Sequence, residues 1–316
     1  MKACYLFMFL LYTLATQGQR LEQYYDWQWK RAEPASARFV AIIEKKDSLW
    51  ERTDYYLREK KVQMSGSYTD SSCRLAHGSF YYFHPNGIPE SSGRYVNGKK
   101  QGLWLGYYST GMIRDSAMYD NGNITGTALG WHQNGYLLDS AAYNSDGSSV
   151  SVSWFDNGLL AAAGRYNQGH KRNGKWQFFH KNGKPAAIEV YENDALVNKQ
   201  YFDEEGNSMA DTTSRDRPAV FAGGQKGWQK FIFKQLYFPP GFKIINADQA
   251  VVVVGAVVDE NGSMTDVEVR TSFHKEFDRI AVTALQKSPR WSPAISHNRR
   301  VKYKIIQAVT FQQSTD

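Results

Sequence analysis

The chain has 316 residues, of which 42% are hydrophobic and 15% aromatic, and its formal net charge is +7. This length predicts two domains, and the hydrophobic content is ample for packed cores, which excludes an intrinsically disordered chain. The aromatic residues (20 Tyr, 17 Phe and 9 Trp), together with 26 Gly and 9 Pro, favour β-strands joined by glycine turns. Lys and Arg form no long runs, which argues against a nucleic-acid-binding protein.

The first 18 residues have the pattern of a secretory signal peptide. Lys2 provides the positive start, Tyr5 to Leu14 form a short apolar run, and the small residues Thr16 and Gly18 precede a cleavage point before Gln19. As a helix the apolar run would be about 15 Å long, against about 30 Å of bilayer hydrocarbon. We therefore expect residues 1–18 to be a cleaved signal peptide of an exported protein, with an uncleaved anchor as the alternative.

A repeat fills the middle of the chain, from residue 66 to residue 210. Six units share a turn pair that ends in glycine, and these glycines are 24, 24, 23, 25 and 23 residues apart. The pairs are Asn86-Gly87, Thr110-Gly111, Asn134-Gly135, Asn157-Gly158, Asn182-Gly183 and Glu205-Gly206. Four residues before each glycine is an aromatic residue, namely Phe83, Tyr107, Trp131, Trp154, Phe179 or Phe202. Each unit also has an upstream tyrosine: Tyr68, Tyr95, Tyr119, Tyr143, Tyr166 or Tyr191.

This repeat predicts an array of β-hairpins. An Asn-Gly pair tolerates positive φ at two successive positions, as a type I′ turn requires, and stacked hairpins bury side chains that a lone hairpin leaves exposed. We predict one hairpin per unit in a long antiparallel meander, with a row of aromatic residues along one face. Residues 19–65 form an N-terminal segment with a degenerate unit, because Tyr56 precedes Lys60 by the same four residues that separate Tyr107 from Gly111.

The amino-acid sequence of the units, such as GRYVNGKKQGLWLGYYSTG at 93–111, resembles the bacterial MORN-type repeat. The resemblance covers residues 66–210 and implies an all-β architecture. MORN arrays are described as lipid-binding or protein-binding scaffolds, so the resemblance specifies no single function.

Three histidines, His84, His132 and His180, recur three residues before the turn glycines. They are two units apart, and one unit advances about 10 Å across a sheet, so neighbouring imidazoles would be about 20 Å apart. Ligands of one metal ion lie about 2 Å from it. We therefore interpret these histidines as structural side chains of a stacked ladder and predict no metal site.

The 24-residue period stops at a polar segment, residues 211–217, which we predict to be a linker to a C-terminal domain, residues 218–316. The apolar periodicity there predicts the order α-β-β-α-β, with proline-rich breaks between elements. The predicted elements are a helix over 228–237, strands over 250–258 and 264–271, a helix over 277–285 and a last strand over 301–311.

Several short motifs at these positions resemble the TonB C-terminal domain family over residues 218–311. The motifs are Pro218, Phe221 to Gly224, Phe238-Pro239-Pro240, Val258 to Gly262, Val267 to Val269, Pro289 to Pro293 and the closing strand that ends at Phe311. The chain departs from the family where Phe238 replaces a Tyr and where Ala294 and His297 replace glycines. The fold expected for the whole chain is thus a MORN-like meander followed by a small α+β domain.

The resemblance implies that the domain binds an extended partner segment by strand addition. In the family the last strand is an edge that pairs with a segment of an outer-membrane TonB-dependent receptor. That edge corresponds here to Lys302, Tyr303, Lys304, Ile305, Ile306 and Gln307. From residue 218 onward there are 13 Lys and Arg against 8 Asp and Glu, so the edge would attract acidic peptides, or else its charges only protect it from self-pairing.

We therefore expect a non-enzymatic protein of the periplasm or cell envelope that is linked to TonB-dependent transport and binds a protein partner. The alternative is a scaffold in which the array binds a protein or a membrane surface and the TonB-like domain is a structural or dimerising module. The chain has no nucleophile elbow, Walker loop, HExxH helix or CxxC pair, so we predict no catalytic residues and no cofactor. It also lacks the long membrane helix and Pro-rich spacer of a full TonB protein, so the sequence shows no evident way to draw force from an inner-membrane motor, and whether the protein transduces energy stays open.

Overall fold

The computed structural model describes residues 20–244 and 249–313, and the predicted signal peptide lies outside them. Fifteen strands form one antiparallel sheet in which each strand pairs with its neighbours in the chain. The strands are β1 (Arg20–Tyr25), β2 (Phe39–Lys46), β3 (Leu49–Tyr56), β4 (Lys61–Tyr68), β5 (Ala76–Phe83), β6 (Pro89–Val96), β7 (Lys99–Tyr107), β8 (Ile113–Asp120), β9 (Asn123–Trp131), β10 (Leu137–Tyr143), β11 (Ser149–Trp154), β12 (Leu160–Tyr166), β13 (Arg172–Phe179), β14 (Pro185–Glu192) and β15 (Ala195–Tyr201). The predicted meander is confirmed.

The turns of the repeat differ from the prediction. At Asn86-Gly87 only the glycine has positive φ, 86°, and the Gly87 N–H donates to the His84 carbonyl while the His84 N–H donates to the Ile88 carbonyl. This pattern is a type I turn closed by a left-handed glycine, and it recurs at the turns of Gly111, Gly135, Gly158 and Gly183. The prediction of type I′ turns at these pairs is wrong, because a three-residue loop needs positive φ at its last residue alone.

Two-residue turns with two positive φ values lie at the opposite edge of the meander. They are Asn97-Gly98 (49° and 77°), Asn121-Gly122 (49° and 88°) and Asn193-Asp194 (53° and 73°). These are the conformations that a type I′ turn requires. The two rows of turns therefore differ in turn type, and the row of type I turns is called the Asn-Gly edge.

Asparagine side chains join successive turns of the Asn-Gly edge. Asn86 Nδ2 donates to the Ser109 carbonyl at 2.8 Å, while its Oδ1 accepts the Ile88 N–H at 3.0 Å. The side chains of Asn134, Asn157 and Asn182 repeat this arrangement, with their Nδ2 atoms 2.6, 3.0 and 2.8 Å from the corresponding carbonyl oxygens of the next unit. Asparagine has both a donor and an acceptor, so it can bond within its own turn and to the next turn at once.

A second ladder explains the recurring histidines. Each histidine uses Nε2 to bond the backbone carbonyl of the repeat aromatic in the next unit, at 3.0 Å for His84, 2.9 Å for His132 and 3.1 Å for His180. The hydroxyl groups of Tyr56 and Tyr108 donate to the equivalent carbonyls at 2.9 and 2.6 Å. These carbonyls lie at the ends of their strands, where the neighbouring strand offers no N–H group. The side-chain ladder supplies their hydrogen bond instead.

The buried aromatic row lies on a different set of positions from the one the spacing suggested. The aromatics four residues before the turn glycines are half-buried, whereas Phe80 and Trp104, seven residues before them, are 1% and 6% exposed. These rings alternate edge-to-face with the repeat tyrosines, and Tyr95 lies 4.9 Å from both of them. Trp176 repeats this packing near the end of the array.

The C-terminal domain has the predicted order α-β-β-α-β and one additional small hairpin. Its elements are α1 (Gly224–Gln235), β16 (Gln249–Val258), β17 (Met264–Thr271), α2 (Lys275–Gln286), β18 (Ala294–Ser296), β19 (Arg299–Val301) and β20 (Tyr303–Gln312). A three-stranded antiparallel sheet has the order β17-β16-β20. Val252 and Val254 of β16 pack with α1, α2 and β20 in a core centred on Phe277, which is fully buried.

Candidate functional site: the outer strand of the C-terminal sheet

Strand β20 forms one edge of the C-terminal sheet. It pairs antiparallel with β16 along its whole length, from Tyr303 opposite Val258 to Gln312 opposite Gln249. On its other side no strand pairs with it in the part of the chain that the structure describes. An edge of this kind offers main-chain N–H and C=O groups to an added strand.

The six residues predicted to bind a partner divide into two sets. Tyr303, Lys304 and Ile306 form the first set and are exposed, and Ile306 is 77% exposed. The other three contact other parts of the molecule, although Lys302 is exposed as well. Lys302 precedes β20 and its Nζ lies 2.7 Å from Asp156 Oδ2, Ile305 packs against the core, and Gln307 accepts a hydrogen bond from Trp228 Nε1 at 2.7 Å.

The basic residues beside this edge mostly contact the repeat array. Arg299 donates to the carbonyls of Ala161 and Phe179, and Arg300 forms a 3.2 Å ion pair with Glu204. Lys302 pairs with Asp156 as described above. Of the four basic residues between 299 and 304, Lys304 alone has no ion pair or hydrogen bond to the array within residues 20–244 and 249–313. The free surface of the edge is therefore much less basic than its sequence suggests.

The small hairpin β18–β19 fixes the C-terminal domain to the array through its turn residues, His297 and Asn298. Both have positive φ, 53° and 58°, and His297 stands where the resembled family has glycine. The His297 ring stacks on Phe178 with centroids 3.8 Å apart, and its Nδ1 lies 2.7 Å from Glu189 Oε2. Asn298 Nδ2 donates to the Phe202 carbonyl at 2.8 Å. These contacts compensate for the unfavourable backbone conformation of a non-glycine residue.

Two ionisable groups are buried at this contact. Burial raises the pKa of Glu189, but hydrogen bonds from His297 and Tyr191 outweigh it and leave the pKa below its usual value. Burial lowers the pKa of Arg299 to about 10, against the attraction of Glu189 and Glu260. Both groups are therefore charged at neutral pH, and each is stabilised by partners from the other domain.

A second contact joins the other end of the array to the C-terminal domain. The guanidinium carbons of Arg38 and Arg58 lie 4.1 and 3.9 Å from the ring centroid of Phe273, which is buried. Ser109 Oγ donates to Glu268 Oε2 at 3.0 Å between the two contacts. The C-terminal domain thus lies along the Asn-Gly edge, with the β20 edge left open.

His297, Asn298, Glu189 and Phe155 were not identified from the sequence. Two signals for them were visible in the sequence. Phe155 lacks the donor that His or Tyr provides at the same position of neighbouring units, and His297 replaces a family glycine. Among the described residues no three His, Cys, Asp or Glu side chains cluster so as to hold a metal ion. No helix within 20–244 or 249–313 is long and apolar enough to cross a bilayer.

Comparison with known families confirms both resemblances and their order. Residues 243–312 match the family described as Gram-negative bacterial TonB protein C-terminal. Residues 76–97 and 172–193 match the family described as MORN repeat variant. No curated protein matches the chain. TonB C-terminal domains are associated with the bacterial envelope and generally interact with proteins, so a TonB-like envelope protein with a repeat scaffold is the function class supported here.

Proposed function

We propose that the protein is a non-enzymatic envelope protein that binds an extended segment of a partner protein by strand addition to β20. The observation that carries the proposal is the open edge of β20, which pairs only with β16 among the described strands. The partner would be an outer-membrane TonB-dependent receptor, as in the family that the domain resembles. Residues 1–18 would direct the export of the protein.

The exposed side chains of the edge favour a partner segment that is apolar more than acidic. Ile306 is 77% exposed in the middle of the paired stretch, and Tyr303 is 37% exposed at its start. Three of the four basic residues that would attract an acidic peptide contact the array instead, so Lys304 is the one left to attract such a peptide. An apolar side chain of the partner placed across from Ile306 would be buried together with Ile306. Such burial stabilises the complex by roughly 25 cal/mol per Å² of apolar surface.

The test is hydrogen exchange of the full-length protein with and without synthetic segments from the N-termini of TonB-dependent receptors. Strand addition predicts new protection of amides in Tyr303–Gln312 and in the peptide. Ile306→Lys should weaken binding about tenfold, the effect of losing most of one buried apolar contact. The matched control is Val150→Lys, since Val150 is a 44% exposed apolar strand residue of the array. Protection that appears only in the array, or equal loss in both variants, would contradict the proposal.

The alternative, a scaffold that uses the array, is supported by one specific feature. Leu103 and Met118 face each other across β7 and β8 and are 51% and 45% exposed, on the face opposite buried Trp104. In this alternative the pair would form part of the apolar surface that contacts the partner. If Leu103→Lys abolishes partner binding and Ile306→Lys does not, the array is the binding element.

A further inference from the structure

A cavity of about 570 Å³ lies between the start of the array and the C-terminal domain. The loop after β1, the β3–β4 turn, residues 242–244 and the start of β16 line it. This volume falls within the range of small-molecule sites, which often lie at domain interfaces. The cavity is separate from the β20 edge and has no part in strand addition.

Four cationic side chains line this cavity: Arg31, Arg38, Arg58 and Lys243. None of them has a carboxylate within ion-pair distance among residues 20–244 and 249–313. The acidic residue of the lining is Asp26, whose Oδ1 already accepts the N–H groups of Gln28 and Lys30 at 2.8 and 3.0 Å. The lining therefore has an excess of positive charge.

The guanidinium groups of Arg38 and Arg58 both lie over the ring of Phe273. Burial and the charge of Arg58 lower the pKa of Arg38 to about 10, against the attraction of Asp278 and Glu59, so Arg38 is charged at neutral pH. Its Nε is buried and has no hydrogen-bond partner within the described residues. The carboxylates of Asp278 and Glu59 attract this charge from beyond ion-pair distance, and an anion in the cavity would compensate its burial further.

The rest of the lining is aromatic and apolar. Trp27 and Phe242 flank the cationic groups, and Ile244 and Val251 form an apolar wall. Guanidinium groups bind phosphate oxygens through paired N–H donors, more strongly than neutral donors do. A ligand that carries a phosphoryl group on an apolar or aromatic body would match both parts of the cavity.

We propose that this cavity binds an organic phosphate, with Arg38 and Arg58 holding the phosphoryl oxygens and Trp27 and Phe242 contacting the organic part. The phosphoryl group comes either from a soluble phosphate ester or from the headgroup of an anionic lipid. Binding joins the two domains, since Arg58 belongs to the array and Phe242 to the C-terminal domain. It should therefore also stabilise the folded chain by mass action.

The test is isothermal titration calorimetry of the full-length protein with phenyl phosphate, and with phenol as the uncharged comparison. We expect saturable binding of phenyl phosphate and at least about tenfold weaker binding by Arg58→Gln, the effect of losing one charge-assisted contact. Because Arg58 also contacts Phe273, Lys243→Gln is the second variant, since Lys243 is exposed and its loss should leave the fold intact. Arg94→Gln, an exposed residue of β6 with the same change of charge, should bind as the wild type does.

Vesicles of phosphatidylcholine with and without phosphatidic acid distinguish the two sources of phosphate. Binding of phenyl phosphate that Arg58→Gln weakens indicates a soluble ester. Binding of phosphatidic acid vesicles alone, with the same dependence on Arg58, indicates a lipid headgroup. Binding of neither probe, or equal binding by the wild type, Arg58→Gln and Lys243→Gln, would overturn the proposal.

Discussion

Nη1 of Arg299 donates to the backbone carbonyl oxygen of Phe179 at 3.2 Å. The equivalent carbonyls elsewhere in the array receive a hydrogen bond from the His or Tyr of the preceding unit, but in this unit that position is Phe155, which has no donor. The C-terminal domain therefore supplies a bond that the repeat omits. The one irregularity among these ladder positions thus coincides with the place where Arg299 contacts the array.

A double-mutant cycle tests this relationship. Arg299→Met removes the side-chain hydrogen bonds to the carbonyls of Phe179 and Ala161, and we expect it to lower the free energy of unfolding by about 2 kcal/mol. Phe155→His restores the ladder donor for Phe179, so in that background Arg299→Met should cost about 1 kcal/mol. Urea unfolding gives the four free energies. Arg300→Met is the matched control and should cost less than about 1 kcal/mol, because its ion pair with Glu204 is exposed. Equal costs of Arg299→Met in both backgrounds would contradict the assigned role.

The asparagine ladder predicts different effects for two changes at one position. Asn134→Ala removes both the Nδ2 bond to the Asp156 carbonyl and the Oδ1 bond from the Tyr136 N–H, and should cost about 1 kcal/mol. Asn134→Asp keeps the acceptor but places a carboxylate opposite a carbonyl oxygen, so it should cost at least as much at neutral pH. Thermal unfolding at pH 7 and near pH 3 measures both. The stability of the Asp variant should recover relative to that of the Ala variant at low pH, because its protonated carboxyl can donate to the Asp156 carbonyl.

The sequence predicted the meander and the order of the C-terminal elements because these depend on local periodicity. The 24-residue spacing gives one hairpin per unit, and α2 shows its apolar residues at helical spacing. The turn type was missed because an Asn-Gly pair suits both two-residue and three-residue loops. The hairpin β18–β19 was missed because its strands have three residues each, too few for a periodic pattern. The contact of Glu189 with His297 joins residues 108 positions apart, which no local pattern encodes.

The ion pairs of Asp156 predict an acid-sensitive contact between the domains. Burial opposes ionisation, but the hydrogen-bonded charges of Lys181 and Lys302, at 2.8 and 2.7 Å, lower the pKa of Asp156 to about 2. Because this pKa is below the usual value of about 3.9, the stabilisation is complete above about pH 4 and is lost as the pH falls towards 2. Asp156→Asn should lower stability by about 1 kcal/mol at pH 7 and flatten its dependence on pH below 4. Asp47→Asn, an exposed charge in the β2–β3 turn, should retain the wild-type profile in urea unfolding at a series of pH values.

The buried aromatic row depends on glycines in the neighbouring strands. A Cβ atom on Gly93 would lie 2.1 Å from Cδ2 of Trp104, and the same distance separates a Cβ on Gly164 from Trp176. Neither glycine has positive φ, so the backbone would accept alanine and the indole ring alone excludes it. Gly93→Ala should therefore cost about 3 kcal/mol, at the upper end for overpacking, because Trp104 must leave its site between Tyr95 and Tyr119.

The matched control is Gly130→Ala in β9. There the nearest atoms to the added methyl group are the carboxylate oxygens of Asp139 at 3.0 Å, which can move by rotation of a side chain. We expect Gly130→Ala to cost less than about 1 kcal/mol. Thermal unfolding and near-ultraviolet circular dichroism report stability and the packing of the tryptophan ring. Equal stability of the two variants would contradict the prediction that Trp104 excludes a methyl group at Gly93. If Trp104→Leu restores the stability that Gly93→Ala loses, the clash with the indole ring is the cause of that loss.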